Sequence, residues 1–273
     1  MTADQKKVVL ITGKVPRHRH HSQHTSNLLT GANKGVGYET AKVLLASPSS
    51  SYHVLVGSRD LAAGQAAVTA LTSGQEKDQL RGTASAIQLD VTDAASIQAT
   101  AQQIQTQYGR LDSLVNNAGI SSKGQDTATQ IRENLETNVV GPVLVTEALE
   151  PLLKQSADPR VIFVSSSLSS LTHASDPESP YYASRASTQY DYYRVSKTAL
   201  NMVMVQFAKR NPGVKTWAGD PGWLATDLAD KALMETLGAP HPSVGGREIA
   251  RIVEGERDAD VGKIVGKYGV QQW

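Results

Sequence analysis

Apolar positions along the chain fall into short β-branched runs, separated by longer stretches in which apolar residues recur every three or four positions. VVLI (8–11), YHVLVG (52–57), SAIQLDV (85–91), LDSLVNNAG (111–119), RVIFVSS (160–166) and VKTWAG (214–219) read as strands. Helical spacing covers 36–46, 61–73, 94–108, 128–153 and 191–210 between and after them. This alternation predicts βαβ units joined by right-handed crossovers. The strands are apolar almost throughout, as expected of a parallel sheet covered on both faces. The expected fold is α/β: a doubly wound, Rossmann-type parallel sheet of about seven strands, with ligands bound beyond the carboxyl ends of the strands. A single domain spanning 1–273 accommodates the whole pattern.

One segment, 14–31, follows neither period. It reads KVPRHRHHSQHTSNLLTG and holds four of the seven histidines: His18, His20, His21 and His24. The segment begins after LITG (10–13) and ends in LLTG (28–31), so that deleting it leaves KKVVLITGANKGVGYETAK, an uninterrupted strand, glycine turn and helix. Three readings follow: a histidine metal site, a genuine loop between the first strand and first helix, or translated non-coding sequence. The metal reading lacks carboxylate partners and regular structure, and no metal is expected. We favour the third reading, because the codons of Gly-Lys and Leu-Thr-Gly accommodate splice-like signals and the length preserves the frame. It predicts a shorter transcript lacking these codons. If the segment is kept, VVLI and SNLLTG (26–31) compete for the first strand, and either Gly13 or Gly31 supplies the first glycine. Cofactor binding is then expected to be weaker than in a chain lacking 14–31.

Composition narrows the function classes. Lys plus Arg (27) nearly balances Asp plus Glu (26), so no nucleic-acid or anionic-membrane partner is expected. The absence of cysteine excludes disulfides, thiolate catalysis and Cys-ligated zinc. No run has a signal-peptide pattern or the roughly 18 apolar residues of a membrane span. The expected location is cytoplasmic.

The candidate chemistry sits at strand ends. Gly31, Asn33, Lys34, Gly35, Val36 and Gly37 form a Gly-x-x-x-Gly-x-Gly turn opening a helix, where backbone amides can approach a pyrophosphate. Arg59 closes the second strand, and with Lys34 it offers two cations to a 2′-phosphate, favouring NADP(H). The competing reading gives Asp60 to a ribose hydroxyl and makes the cofactor NAD. Asp90 and Val91 close the third strand where an adenine edge would lie, although Asp90 also suits a cap or turn. Asn117, Ala118 and Gly119 form a compact turn after the fourth strand. Ser165, Ser166 and Ser167 follow the fifth, and Pro221, Gly222 and Thr226 follow the sixth. Tyr193 and Lys197, four residues apart, share one helix face, and a neighbouring ammonium is expected to lower the phenol's pKa.

In order along the chain stand TGANKGVG (30–37), LDV (89–91), NNAG (116–119), TNVVG (137–141), VSS (164–166), YRVSK (193–197) and DPGWLATD (220–227). This series resembles the short-chain dehydrogenase/reductase family over about Lys7 to Lys267. The Lys of ANKG, GSRDLAAGQAA (57–67) and PGW look most like its carbonyl-reductase-like, NADP-preferring branch. The resemblance implies Tyr193 as proton donor in reduction and Ser166 as the group polarising the carbonyl. It implies that Lys197 holds the nicotinamide ribose, Asn138 holds a relay water, and Thr226 contacts the carboxamide or a phosphate. Hydride transfer between NADP(H) and a small carbonyl or alcohol substrate follows, in a monomer or homo-oligomer. A catalytically impaired product and a non-catalytic NADP-binding protein are the alternatives. Two departures stand out. Residues 167–192 are longer than is common in the family, and are expected to form a loop over the cleft. Asp220 replaces the more usual Asn or Cys, with no consequence legible from sequence.

Overall fold

The computed structural model describes residues 6–13, 35–73, 79–182 and 190–273. Its centre is an eight-stranded sheet in the order β3-β2-β1-β4-β5-β6-β7-β8. The strands are β1 (Lys7–Ile11), β2 (Tyr52–Ser58), β3 (Thr83–Gln88), β4 (Ser113–Asn116), β5 (Arg160–Val164), β6 (Lys215–Asp220), β7 (Ile264–Gly266) and β8 (Gly269–Val270). Every pairing is parallel except β7 with β8. The order reverses between β1 and β4, so a crevice opens at their carboxyl ends, as a doubly wound sheet requires. The eighth strand is antiparallel and two residues long, too short to register in sequence.

The helices are α1 (Gly35–Leu45), α2 (Leu61–Ser73), α3 (Ala94–Tyr108), α4 (Thr127–Leu135), α5 (Gly141–Leu153), α6 (Leu171–Ser175), α7 (Asp191–Arg210), α8 (Lys231–Thr236) and α9 (Ser243–Val253). The sheet separates two apolar clusters. Leu10, Leu114, Val161 and Phe163 face one side with Val145, Leu149, Leu200 and Met204. Val9, Ile11, Val115 and Ile162 face the other with Leu44, Leu45, Ile249 and Ile252. Neighbouring residues of one strand thus serve opposite cores, which is why these strands carry no polar alternation.

The competition for the first strand resolves in favour of VVLI. Val8–Ile11 are buried between β2 and β4, and the Val8 amide donates to Asp112 Oδ2 at 2.7 Å. Residues 14–34 lie outside the described residues, and with them the histidine run and the sites expected at Gly31, Asn33 and Lys34.

The helix expected over 128–153 is not continuous. A π-helical turn, Glu136–Val140, separates α4 from α5. Asn138 sits in this turn, and its side chain donates to Ile120 O (2.8 Å) and accepts from Ile120 N (2.8 Å). A wide turn at such a position is frequent at functional sites. In the expected loop after Ser166, a short helix and turns occupy 171–182, and 183–189 lie outside the described residues.

Candidate active site

A cleft of about 2000 Å³ runs along the carboxyl edge of the sheet, from Arg59 past Gly35 and Asn117–Gly119 to Tyr193 and Lys197. It is built from the strand ends upward. Thr12 follows β1, and its hydroxyl accepts from the amides of Asn117 (3.0 Å) and Ala118 (3.1 Å). The Asn117 side chain donates to Thr12 O at 2.9 Å. The first copy of the Thr-Gly pair, at 12–13, therefore ties the strand to the NNAG turn. Gly37 is packed close behind it, since a Cβ there would lie 2.6 Å from Asn117 Nδ2. Gly35 opens α1 with φ +67, a left-handed conformation that favours glycine.

At the adenosine end, Arg59 Nε stands 4.0 Å from Asp90 Oδ2. Asp60 Oδ1 accepts from Ala63 N (3.1 Å), capping the start of α2. Asp90 Oδ1 accepts from the Thr92 amide and hydroxyl at 2.9 and 2.7 Å, so it braces a turn while its carboxylate borders a smaller depression with Arg59 and Gln88. Val91 is buried beneath Gly141, where a Cβ would meet Val91 O at 2.9 Å. Val91, Gly37 and Asn138 lie behind the cleft wall, whereas Val36, Asn117, Ala118, Gly119, Pro221, Gly222 and Thr226 line it.

At the other end, Ser166 follows β5 and Tyr193 rises from α7, with their side chains hydrogen-bonded. Lys197 is 4% exposed; its Nζ donates to Val164 O at 2.6 Å and lies 5.8 Å from the Tyr193 ring centroid. A Cβ built on Gly119 would sit 3.5 Å from Lys197 Nζ and 3.4 Å from Asn138 Oδ1, so these groups converge on that glycine. Asn138 also donates to Ser196 Oγ at 2.9 Å.

The electrostatics correct one expectation. Burial pushes the Tyr193 phenol above its ordinary value, and the Asp220 carboxylate pushes it the same way; the Ser166 hydrogen bond opposes them. The phenol is not lowered here, because desolvation and the Asp220 carboxylate outweigh the Ser166 hydrogen bond, and the Lys197 ammonium is directed at a backbone carbonyl. Burial likewise pulls Lys197 down to about 8, against the opposing field of Asp220.

Several supporting residues were not singled out from sequence. Asn201, one turn beyond Lys197 on the same face of α7, accepts from Ser165 Oγ (2.6 Å) and donates to Ser169 Oγ (2.8 Å). Thr198 Oγ1 donates to Ser169 O at 2.8 Å. The i, i+4 spacing from Lys197 was the available signal. The cleft's outer walls come from 120–137, 180–182, 190 and 223–244, with Lys267, Tyr268 and Gln271 closing one end. Contributions from 120–137 and from the chain's last residues were not anticipated.

A dinucleotide fits this arrangement. Gly35 and Gly37, among the described residues, open α1 beside Asn117, the cleft continues to the Tyr193–Lys197 pair, and Arg59 places a cation at its other end. Among the described residues, no cluster of His, Asp or Glu suits a metal ion, and no helix is long and apolar enough to cross a membrane.

Residues 26–235 match the family model described as short chain dehydrogenase. Short-chain dehydrogenase/reductase tropE of Talaromyces stipitatus is 42% identical over 260 residues, covering 90% of this chain and 96% of that protein. (+)-Neomenthol dehydrogenase of Arabidopsis thaliana is 30% identical over 254 residues, covering 74% and 83%. Among solved structures, NADPH-bound carbonyl reductase from chicken fatty liver superposes with a TM-score of 0.70 at 23% identity, covering 98% and 99%.

Proposed function

The chain belongs to the short-chain dehydrogenase/reductase family, oxidoreductases that act on small molecules with nicotinamide cofactors, and from that premise we propose that it transfers hydride between NADP(H) and a carbonyl or alcohol through Ser166, Tyr193 and Lys197. The observation carrying this reading is the convergence of Ser166, Tyr193 and buried Lys197 at the sheet edge, at one end of a cleft long enough for a dinucleotide.

The bound nicotinamide supplies the hydride. In reduction, Ser166 Oγ donates a hydrogen bond to the substrate carbonyl oxygen and polarises it. Tyr193 passes its phenolic proton to the same oxygen. The phenol is protonated at neutral pH, as a proton donor must be, while its burial makes it a weaker acid than a free phenol. Lys197 holds the nicotinamide ribose, and Gly119, with no side chain, leaves room beside its ammonium. Asn138 fixes the 119–120 backbone behind them.

The preference for NADP(H) rests on Arg59 at the adenosine end. Asp60, the residue that would argue for NAD, is engaged in capping α2. An alicyclic or otherwise hydrophobic carbonyl suits the outer cleft, where Tyr182 and Trp223 are exposed around the opening and Leu224 lines it from a buried position. The (+)-neomenthol dehydrogenase relative is in keeping with such a substrate.

The test follows loss of NADPH absorbance over a panel of hydrophobic ketones and aldehydes, with NADH in parallel. Tyr193→Phe removes the proton donor and should lower kcat by at least about a hundredfold, while NADPH still quenches protein fluorescence. Undiminished turnover in Tyr193→Phe, or equal use of NADH, contradicts the corresponding part of the reading.

A further inference from the structure

Asp220, at the carboxyl end of β6, is 3% exposed, and beyond its field at Tyr193 and Lys197 its carboxylate has no assigned part in the chemistry described above. It accepts from three neutral donors on three separate segments. Ser167 Oγ makes one close hydrogen bond to Oδ2, and Gln271 Nε2 makes another at 2.7 Å. The Gly222 amide donates to Oδ1 at 2.9 Å. Each segment walls the cleft around Tyr193: Ser167 follows Ser166, Gly222 opens the 222–226 loop, and Gln271 lies beyond β8. Gly222 has φ +88, so the Asp220 bond secures a turn that few other residues would hold.

The chemistry of the acceptor matters. An ionised carboxylate has two oxygens and no hydrogen, so it accepts from all three donors together and fixes the orientation of each. An asparagine side chain has one acceptor oxygen and would leave at least one donor without its partner. Gln271 is also packed against the sheet edge: a Cβ on Gly266 would meet its Nε2 at 2.7 Å. The Gln271 amide donates to Ile264 O at 2.9 Å, fastening this segment to β7.

We propose that Asp220 is a positioning residue for the catalytic centre: by binding Ser167, Gly222 and Gln271 at once, it holds Ser166 and the 222–226 loop in register with Tyr193. This rests on the reading of Ser166 and Tyr193 given under the proposed function. Asp220 acts through its neighbours and does not touch the substrate. Gln271, from the far end of the chain, is the third point of the tether and makes the segment after β8 part of the active-site wall.

The experiment compares the parent chain with Asp220→Asn, Ser167→Ala and the double variant, using NADPH and the best ketone of the panel. Asp220→Asn should lower kcat about tenfold, the effect of one lost charge-assisted hydrogen bond, with KM for the ketone near its parental value and only smaller losses in NADPH affinity, through the 222–226 loop, and in melting temperature. Ser167→Ala, which keeps the carboxylate, should fall by a similar factor, and the double variant should lose little more than either single one. Hydrogen exchange over 166–170 and 269–273 reads the tether without turnover and should quicken about tenfold in Asp220→Asn. Parental kcat in Asp220→Asn, losses that add in the double variant, or a fall in kcat matched by lost NADPH affinity or melting temperature would each overturn the proposal. A parent chain with no turnover defeats the hydride-transfer reading instead, and the exchange rates then decide the tether: quickened exchange supports it and unchanged exchange overturns it.

Discussion

At the scale of single residues, Lys197 shows how a functional group weakens the fold that carries it. Its ammonium is buried, donates to the Val164 backbone carbonyl, and is pulled from an ordinary 10.5 to about 8. A shift of that size corresponds to about 3 kcal/mol of preference for the neutral form. Between pH 8 and 10.5 the unfolded chain keeps a proton that the folded chain releases, so the parent gains stability as pH rises through this window. Lys197→Met removes the buried charge but orphans the Val164 carbonyl, at a cost of about 1–3 kcal/mol. The variant should therefore be more stable than the parent by about 1 kcal/mol at pH 7, and should lose that advantage by pH 10. Urea unfolding at both pH values checks it; a stability difference that does not change with pH would sink the argument. The position of this lysine was legible from its spacing to Tyr193. The state of the phenol was not, because desolvation depends on burial that no local spacing encodes.

At the scale of elements, long periodic segments were readable and short or crowded ones were not. The helices at 61–73 and 94–108 follow the pattern, the latter closed by the Asp93 cap and Gly109. The π-helical turn at 136–140 was hidden inside an unbroken apolar period. Helix α9 was not among the expected helices, and it carries Gly245 and Gly246, residues that disfavour a helix interior, because it is pressed against its neighbours. A Cβ on Gly246 would lie 2.4 Å from Glu39 Cβ and 2.7 Å from the Glu39 backbone in α1. Thr40 Oγ1 reaches Gly246 O at 3.3 Å across the same contact. In an open helix, Gly→Ala would gain up to about 1 kcal/mol. Here backbone cannot yield as a flexible side chain would, so Gly246→Ala should lower stability by about 1–3 kcal/mol. Since α1 begins at Gly35, NADPH affinity should weaken with it. Denaturant unfolding and fluorescence titration measure the two effects, and a variant more stable than the parent would refute this account of the glycine.

At the scale of the whole molecule, the doubly wound α/β sheet was legible from the alternation of strands and helices, and the residues expected at the catalytic end of the cleft were found by the small motif that each strand end carries. The first strand was ambiguous, since LITG (10–13) and LLTG (28–31) differ only by Ile11 against Leu29. The β-branched pair Val8–Val9 and the tie from Thr12 to Asn117 and Ala118 favour the earlier copy. The outer cleft was illegible because it is assembled from segments distant in sequence. The same long-range closure governs stability at low pH. Arg160, at the base of β5, is buried over Trp217 and held by Asp158 and Asp258, and Lys215 of β6 bridges the same two carboxylates. These cations pull Asp258 down to about 2 from its ordinary 3.8 and lower Asp158 as well. A carboxylate with a depressed pKa stabilises the fold above its unfolded value, and that contribution is lost as pH falls through the folded one. Asp258→Asn leaves the buried Arg160 with Asp158 as its remaining carboxylate. Because Asp258 is itself one-third exposed, the cost at pH 7 is set at about 1–2 kcal/mol rather than the larger penalty of a fully buried pair. Urea unfolding should show that deficit at pH 7, shrinking between pH 4 and 2 as the parent's own carboxylate takes up its proton. A deficit that persists undiminished at pH 2 would assign the loss to packing at the Arg160–Trp217 contact and not to charge.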